Sequence, residues 1–105
     1  MQSLTELNLD HNCLEQIPVS ICQLTRLKEL WLHNNALTSL PALIGNLKDL
    51  SVLTLSCNKL RALPAGYGGI GGCASLCELW LKENPLDQIP PELGLLTKLK
   101  VLLLP

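Results

Sequence analysis

The sequence predicts one α/β solenoid, with a curved parallel β-sheet on its concave face and short helices or 3-10 turns on its convex face. Three observations lead to this prediction. Leucines recur at an interval of about 23 residues, each interval starts with the alternating pattern of a short strand, and each then reaches a proline followed by apolar residues at helical spacing. Such repeats are stable only when neighbouring copies stack and bury a shared core.

The repeat becomes clear when the chain is aligned on the first leucine of each unit. Successive units begin 23, 23, 26 and 23 residues apart, at Leu4, Leu27, Leu50, Leu76 and Leu99. Further leucines follow at Leu7, Leu9 and Leu14 in the first unit and at the matching positions of the next three. Residues 1–105 therefore form a single array of about four full repeats and a partial fifth, and the longer interval places a three-residue insertion within 65–69.

The strand of each unit is predicted from two leucines that stand two positions apart. Side chains alternate between the two faces of a strand, so Leu7 and Leu9 point into the core and Asn8 between them points out. An asparagine follows each strand where the chain bends inward, and its amide can bond backbone groups of its own and the adjacent repeat. We expect these side chains to form a ladder, which consists of Asn12, Asn35, Asn58 and Asn84.

The second half of each unit is predicted to run along the convex face. A proline such as Pro18 or Pro41 fixes φ and has no N–H with which to continue a strand ladder. Apolar residues follow at the spacing of one or two helical turns, so one side of each turn is buried. In the third unit a buried position holds Cys73 in place of leucine. Cys22 takes the place of a glycine, where we expect it to be exposed.

The pattern LxxLxLxxNxLxxLPxxIxxLxx covers essentially the whole chain and resembles the leucine-rich repeat family, specifically the 23-residue intracellular type found in Ras-pathway scaffold proteins and their plant relatives. The resemblance implies a leucine-rich repeat solenoid. It also implies protein partners such as small GTPases, kinases or phosphatases. The function of the family lies in its variable positions, so the resemblance alone selects no partner.

Composition and charge exclude several classes of protein. Apolar residues make up 48% of the chain, which excludes a disordered segment, and a net charge of −1 gives no long-range field for nucleic acid or an anionic membrane surface. No apolar run approaches the ~20 residues of a bilayer-spanning helix, so we predict no membrane insertion. The five cysteines form an odd set without a CxxC pair, which favours free thiols in a reducing, cytoplasmic compartment.

Both ends of the chain interrupt a repeat. The first leucine stands almost at the start, and the chain stops just after Leu104, in the middle of the fifth strand. Repeat arrays need polar caps at their ends. We therefore expect a segment of a longer array without caps, with self-association through the uncapped ends as the alternative.

The most informative residues are those that point outward from the strands. Stacked strands lie ~4.8 Å apart, so residues one repeat apart become lateral neighbours on the concave face. Three columns contain the candidate partner-binding residues, which are Glu6, Glu29 and Glu78 in the first, Asn8, Trp31, Thr54 and Trp80 in the second, and Asp10, His33, Ser56 and Lys82 in the third.

Both tryptophans of the chain fall in the same column, on either side of Thr54, which we also expect to be exposed. Their rings should lie on the order of 10 Å apart around a shallow slot. Tryptophan is frequent at binding hot spots, and the acids Glu29 and Glu78 favour a basic or amphipathic partner segment. In the alternative interpretation, the tryptophans cover concave leucines and bind no ligand.

One of these columns also has the order of a hydrolase triad. Asp10, His33 and Ser56 are consecutive lateral neighbours, as an acid, a base and a nucleophile would be. A triad also needs an oxyanion hole and a dry pocket, and an open parallel sheet offers neither. We therefore predict no catalytic group.

Two further patterns lack the context of a ligand site. Gly66, Gly68 and Gly71 spell GxGxxG, but a phosphate loop needs a strand before it and a full helix after it, so we interpret the segment as a surface loop. Cys73 and Cys77 lack a third and fourth ligand at zinc spacing. No cofactor and no metal are predicted.

The sequence therefore favours a protein–protein interaction module, the recognition segment of an intracellular signalling or scaffolding protein that binds its partner on the concave face. The alternative is a structural spacer in a larger protein whose binding or enzymatic activity lies elsewhere. Alanine at Trp31 or Trp80 separates the two, because only the first predicts a loss of binding.

Overall fold

In a computed structural model of the protein, five short strands alternate with four 3-10 helices. The strands are β1 (Glu6–Asn8), β2 (Glu29–Trp31), β3 (Val52–Thr54), β4 (Glu78–Trp80) and β5 (Val101–Leu103). The 3-10 helices are η1 (Val19–Gln23), η2 (Ile44–Asn46), η3 (Ile70–Gly72) and η4 (Pro91–Leu95). The structure describes residues 3–65, 69–96, 98–99 and 101–103. Within these ranges no helix has the length and apolar character needed to cross a bilayer.

The strands form one parallel sheet in the order β1-β2-β3-β4-β5. The register follows the repeat, because Leu30 pairs with Leu53, 23 residues on, and Leu53 pairs with Leu79, 26 residues on. The extra residues therefore leave the register of the sheet unchanged. The predicted parallel sheet and its register are confirmed. Leu104, which the repeat places in the fifth unit, lies outside the described residues.

The inward leucines of the strands form a continuous core between the sheet and the 3-10 helices. Leu30, Leu53 and Leu79 are fully buried, one from each central strand. Burying one leucine side chain contributes about 1.5–3 kcal/mol, so each unit gains most of its stability from its neighbours. In the first unit Leu7 and Leu9 are only partly buried, and they line a hollow of about 470 Å³ together with residues of η1.

The convex face consists of short 3-10 helices of three or five residues. The backbone N–H of the residue after each helix donates to a carbonyl three residues earlier, as Leu24 does to Ile21 and Leu47 does to Ile44, both at 3.1 Å. The apolar residue that accepts this bond is buried in each described case, including Ile70 in η3. A unit of this length leaves few residues for the convex side, and such short segments favour 3-10 over α-helical turns. The prediction is confirmed in its 3-10 form.

Asn58 shows how the predicted ladder joins neighbouring units. Its Nδ2 donates to the carbonyl oxygens of Leu32 in the preceding unit and Leu55 in its own unit, both at 2.9 Å. Its Oδ1 accepts the backbone N–H of Leu37 at 3.1 Å. Asn58 is buried, so each of these bonds pairs a backbone group that stacking removes from water. The same set of bonds is made by the equivalent side chains, Asn35 and Asn84.

Asn12 is the exposed first member of the ladder. Its Nδ2 donates to the carbonyl oxygens of Leu9 at 2.8 Å and Asp10 at 3.2 Å, both in its own turn. These bonds stay within the first unit, and the contacts of the ladder between units begin with the second asparagine, Asn35.

Each turn after the first four strands contains one residue in the left-handed region of backbone space. The residues are His11, Asn34, Cys57 and Glu83, with φ of 58°, 58°, 61° and 61°. Asparagine and histidine tolerate this conformation better than most side chains, and cysteine and glutamate less well. Because the conformation recurs at the same position of every unit, the turn imposes it whatever the residue.

The insertion leaves the start of η3 in its usual place. In the second unit the backbone N–H of Ile44 donates to the Pro41 carbonyl oxygen at 3.1 Å. In the third unit the N–H of Ile70 donates to the Pro64 carbonyl oxygen at 2.9 Å, although the loop is longer. Gly69 permits this contact, because a Cβ at that position would clash with the Pro64 carbonyl.

The GxGxxG pattern falls on this insertion. Gly66 and Gly68 lie outside the described residues, and Gly71 lies within η3. Since η3 has only three residues, it differs from the full helix whose N-terminus binds a phosphate group.

Both cysteines of the convex side are buried. Cys73 is 0% exposed, as predicted, and Cys22 is 3% exposed. The expectation that Cys22 lies at the surface is therefore wrong. Cys22 lies in η1, which packs against η2, and the equivalent glycine of η2, Gly45, is buried as well. Burial raises the pKa of the Cys22 thiol, and it raises the pKa of the Cys73 thiol to about 11.

Candidate functional site

Three columns of side chains cross the concave face. The glutamate column contains Glu6, Glu29, Val52 and Glu78, and the tryptophan column contains Asn8, Trp31, Thr54 and Trp80. The histidine column follows the strands and contains Asp10, His33, Ser56 and Lys82. The structure thus brings the sequence-predicted candidates together on one face, as the repeat requires.

Each tryptophan is hydrogen-bonded to the glutamate two residues before it. Trp31 Nε1 donates to Glu29 Oε1 at 3.1 Å, and Trp80 Nε1 donates to Glu78 Oε1 at 3.2 Å. We call these two units the Glu–Trp pairs. Residues i and i+2 of a strand share a face, so the tripeptide Glu-Leu-Trp, which occurs twice, is the sequence signal for them. The sequence pattern predicts the neighbouring acids, and the structure adds the hydrogen bonds.

Both indole rings are half-buried on the concave face. Their N–H groups already have acceptors, so the exposed part of each ring is apolar surface in a fixed orientation. A side chain that is already ordered loses little entropy when a partner binds. Part of each ring is therefore accessible on this face, and the separation of the rings around a slot stays a prediction.

Thr54 lies between the two tryptophans in the register and is 1% exposed. The expectation that Thr54 is an exposed residue of the face is therefore wrong. Both of its neighbours in the column, Trp31 and Trp80, are much larger side chains. Its Oγ1 accepts the backbone N–H of Leu32 at 2.9 Å. Thr54 therefore offers almost no surface to a partner.

The histidine column stabilises backbone turns. Asp10 Oδ1 accepts the backbone N–H of His33 at 2.7 Å, and His33 Nδ1 accepts the backbone N–H of Ser56 at 3.0 Å. Each side chain therefore accepts a hydrogen bond from the main chain of the next unit. In a triad the side chains would bond one another, so this geometry is not that of a triad. Ser56 Oγ is buried and has no hydrogen-bond partner within the described part of the chain. Asn8 plays a similar local role, since its Oδ1 accepts the backbone N–H of Asp10 at 3.0 Å.

The concave face is more acidic than the chain as a whole. Its columns hold four of the nine acidic residues and one of the eight basic residues, which are Glu6, Asp10, Glu29 and Glu78 against Lys82. The whole chain carries a net charge of only −1, so the positive charges are concentrated on other surfaces. Such a face complements a basic partner.

The Cys73 and Cys77 thiols are directed at separate backbone groups. Cys73 Sγ donates to the carbonyl oxygen of Ile44 at 3.4 Å, and Cys77 Sγ donates to that of Ser75 at 3.4 Å. Among the residues that the structure describes, no group of three or more side chains is suited to hold a metal ion.

Comparison with known families agrees with this architecture. A family model described as Leucine Rich repeats (2 copies) matches residues 2–45 and 25–65, which together cover more than half of the chain. The chain belongs to the leucine-rich repeat family. Leucine-rich repeat domains are generally protein-interaction modules and typically non-catalytic.

Solved leucine-rich repeat structures resemble this chain over nearly all of its length. A leucine-rich repeat protein of Leptospira interrogans is 41% identical over 98% of this chain, with a TM-score of 0.89. The plant peptide hormone receptor RGFR1, in complex with RGF2, is 32% identical over 96% of this chain, with a TM-score of 0.79. An internalin of Listeria monocytogenes, at 20% identity over 98% of this chain and a TM-score of 0.53, shares the fold.

This leucine-rich repeat chain is much shorter than the proteins it resembles. It spans 26% of the Leptospira protein, 16% of the plant receptor and 42% of the internalin. No curated protein matches its sequence. The similarity therefore concerns the repeat array alone.

Proposed function

We propose that the chain is the recognition segment of an intracellular signalling or scaffolding protein, similar to the Ras-pathway type, and that it binds a protein partner on its concave face. The observation that carries the proposal is the presence of two half-buried indoles, Trp31 and Trp80, each held by a glutamate on its own strand. All five cysteines are free thiols, which fits a reducing, cytoplasmic compartment.

The Glu–Trp pairs have the properties of a binding hot spot. Tryptophan supplies a large apolar area, and hot spots are typically surrounded by a polar rim. Here Glu6 and Lys82 are exposed at the margins of the three columns. A partner that covers the rings would remove apolar area from water without leaving either indole N–H unpaired.

The similarity to a receptor structure supports a peptide segment as the partner. RGFR1 is a peptide hormone receptor and its structure holds RGF2. For this chain we propose a ligand of the same class, an extended segment of another protein. A small GTPase is the partner class that the Ras-pathway resemblance implies, and such a protein would present the segment on a surface loop.

Selection from a random peptide library displayed on phage tests the proposal. Clones are selected on the wild-type chain and then measured against a Trp31→Ala/Trp80→Ala variant. The matched control is Val19→Ala/Leu43→Ala, which removes two apolar side chains that are 64% and 50% exposed on the convex side. Circular dichroism establishes that both variants remain folded.

The proposal predicts clones whose affinity falls by at least about thirtyfold in the tryptophan variant, which is the effect of losing one hot-spot tryptophan at on the order of 2 kcal/mol. The convex control should bind as wild type does. If the same clones bind all three proteins equally, or if the convex variant alone loses binding, the concave face is not the site. Failure to select any clone would favour the structural spacer.

A further inference from the structure

We infer that the bound segment is a basic polyproline-II stretch with two arginines three positions apart, each seated on one Glu–Trp pair of the concave face. This inference rests on the proposed function, because it names the chemistry of the partner for the same face. It follows from what one pair offers, from the charge of the face and from the distance between the pairs.

One Glu–Trp pair offers an arginine two contacts at once. Trp31 Nε1 occupies one lone pair of Glu29 Oε1, which leaves the other lone pairs of the carboxylate free to accept hydrogen bonds. A guanidinium can donate two parallel N–H groups to a carboxylate and can stack its plane on an indole. The hydrogen bond within the pair holds acceptor and ring side by side. Glu78 and Trp80 repeat the arrangement at 3.2 Å.

The acidic side chains of the face complement a partner segment with two separate cationic groups better than one with a continuous basic stripe. Glu29 and Glu78 are separated in the glutamate column by Val52, and the two rings are separated in the tryptophan column by Thr54. Neither intervening side chain is ionisable, and Thr54 is buried. A complementary segment therefore carries positive charge at two points and small, uncharged residues between them.

The distance between the two pairs indicates which backbone conformation the bound segment adopts. The strands β2 and β4 have only β3 between them, so the backbones that carry the two pairs lie two strand spacings apart, or ~9.6 Å. Polyproline II has three residues per turn and rises ~3.1 Å per residue, which places side chains i and i+3 on one side, ~9.3 Å apart. Same-facing residues of a β-strand lie ~6.6 or ~13 Å apart. An α-helix reaches ~10.5 Å at i and i+7, which makes it the closest competitor.

The sheet itself favours a segment that needs no backbone partner. β2, β3 and β4 each pair with a strand on both sides, so their backbone groups are already used. Addition of a further strand is therefore impossible at the tryptophans. A polyproline-II segment makes no backbone ladder and can lie across the strands, along the columns, with its arginine side chains as the contacts.

Isothermal titration of the full chain with four synthetic peptides tests the inference. The first peptide contains Arg-Pro-Pro-Arg, the second contains Arg-Pro-Pro-Pro-Arg, the third contains Glu-Pro-Pro-Glu, and the fourth is an alanine-rich helix with arginines seven positions apart. We expect the first to bind at least about tenfold more tightly than each of the others. Its affinity should also fall as sodium chloride rises from about 50 to about 500 mM.

Protein variants locate the contacts. Glu29→Gln and Glu78→Gln keep an acceptor for the indole N–H but remove the charge. Each should weaken the binding of the first peptide about tenfold. Glu15→Gln is the control, because Glu15 is exposed and lies outside the three columns. The Glu15→Gln variant should bind the first peptide with the affinity of the wild type.

Equal binding of the first two peptides, tighter binding of the acidic or helical peptide, or wild-type affinity in both glutamate variants would overturn the inference. The library selection separates this result from failure of the proposed function. Selected clones that depend on the tryptophans but lack spaced arginines would leave the proposed function standing. Clones that bind the tryptophan variant as tightly as the wild type would contradict both the inference and the proposed function.

Discussion

The imidazole of His33 packs edge-on against the indole of Trp80, with ring centroids 6.3 Å apart and ring planes at 84°. Trp80 belongs to β4 and His33 follows β2, so the rings meet across the unit that carries Ser56. Edge-to-face contact brings the positive edge of one ring to the negative face of the other. His33 Nδ1 also accepts the Ser56 backbone N–H. One imidazole therefore contacts both a backbone turn and the Trp80 ring of the candidate site.

Replacing His33 by alanine should loosen Trp80. The change removes an aromatic contact worth about 0.5–1.5 kcal/mol and an acceptor for the Ser56 N–H, so the free energy of unfolding should fall by about 1–2 kcal/mol. In a Trp31→Phe background Trp80 is the only tryptophan, and its fluorescence should shift to longer wavelength. The exposed His11 supplies the control, and His11→Asn should leave the spectrum as it is. An unshifted spectrum for His33→Ala would show that the contact does not fix the ring.

Replacing Asn58 by alanine should be among the most destabilising polar-to-alanine changes in the chain. The side chain bonds Leu32, Leu55 and Leu37 in a buried setting, and its loss leaves backbone groups unpaired. We expect the free energy of unfolding in urea to fall by about 3 kcal/mol or more. Asn12→Ala is the matched control, since Asn12 is exposed, and it should cost less than about 1 kcal/mol. Equal costs at the two positions would contradict a role for the ladder in joining units.

Replacing Gly69 by alanine should destabilise the chain through a backbone clash. The new Cβ would meet the Pro64 carbonyl, and the backbone has to move to make room. We expect a loss of about 2–3 kcal/mol in denaturant unfolding. Gly94→Ala is the control, because nothing lies within 4 Å of the Cβ it would add, and its stability should stay within about 0.5 kcal/mol of wild type. A neutral Gly69→Ala would mean that the insertion does not approach Pro64 closely.

The buried Cys73 thiol should make stability depend on alkaline pH. Burial raises its pKa from an ordinary value of 9.0 to about 11 in the folded chain. Below pH 9 both the folded and unfolded states keep the proton, so the stability is fully present. As pH rises from 9 to about 11, the unfolded chain releases the proton first and the stability falls.

The expected loss from this thiol is about 2–3 kcal/mol, at 1.36 kcal/mol for each unit of pKa difference. It is measured as the difference in pH dependence between wild type and Cys73→Ala in guanidinium chloride unfolding. Lysine and tyrosine titration is common to both proteins and cancels in that difference. Parallel curves for the two proteins would contradict the burial of the thiol.

The fold can be predicted from the sequence because the leucines that form its core recur at a regular interval. Leu30, Leu53 and Leu79 recur at the repeat interval, and alternation along a strand leaves only one face for them. A shift of one residue would expose every leucine, so the register is strongly specified. Asn58 was predictable for the same reason, since one position in each repeat must satisfy the backbone groups of the turn.

The details of the candidate site depend on neighbours that the period does not describe. Thr54 is buried at a position between two tryptophans in the register, and Cys22 is buried in η1, which packs against η2. Asp10 and His33 bond backbone N–H groups because those groups lie within reach at the end of each strand. Column membership predicts which side chains are neighbours, whereas side-chain size and the nearest unpaired backbone group determine what they contact.

The central claim is that Trp31 and Trp80 form one binding face, and their indole N–H signals test it most directly. The chain has two tryptophans, so a ¹H–¹⁵N correlation spectrum contains two such signals. On titration with a peptide selected from the library, both signals should shift and saturate together, while the backbone signals of Val19 and Leu43 on the convex side stay in place. Stationary indole signals together with shifts at Val19 and Leu43 would contradict the account.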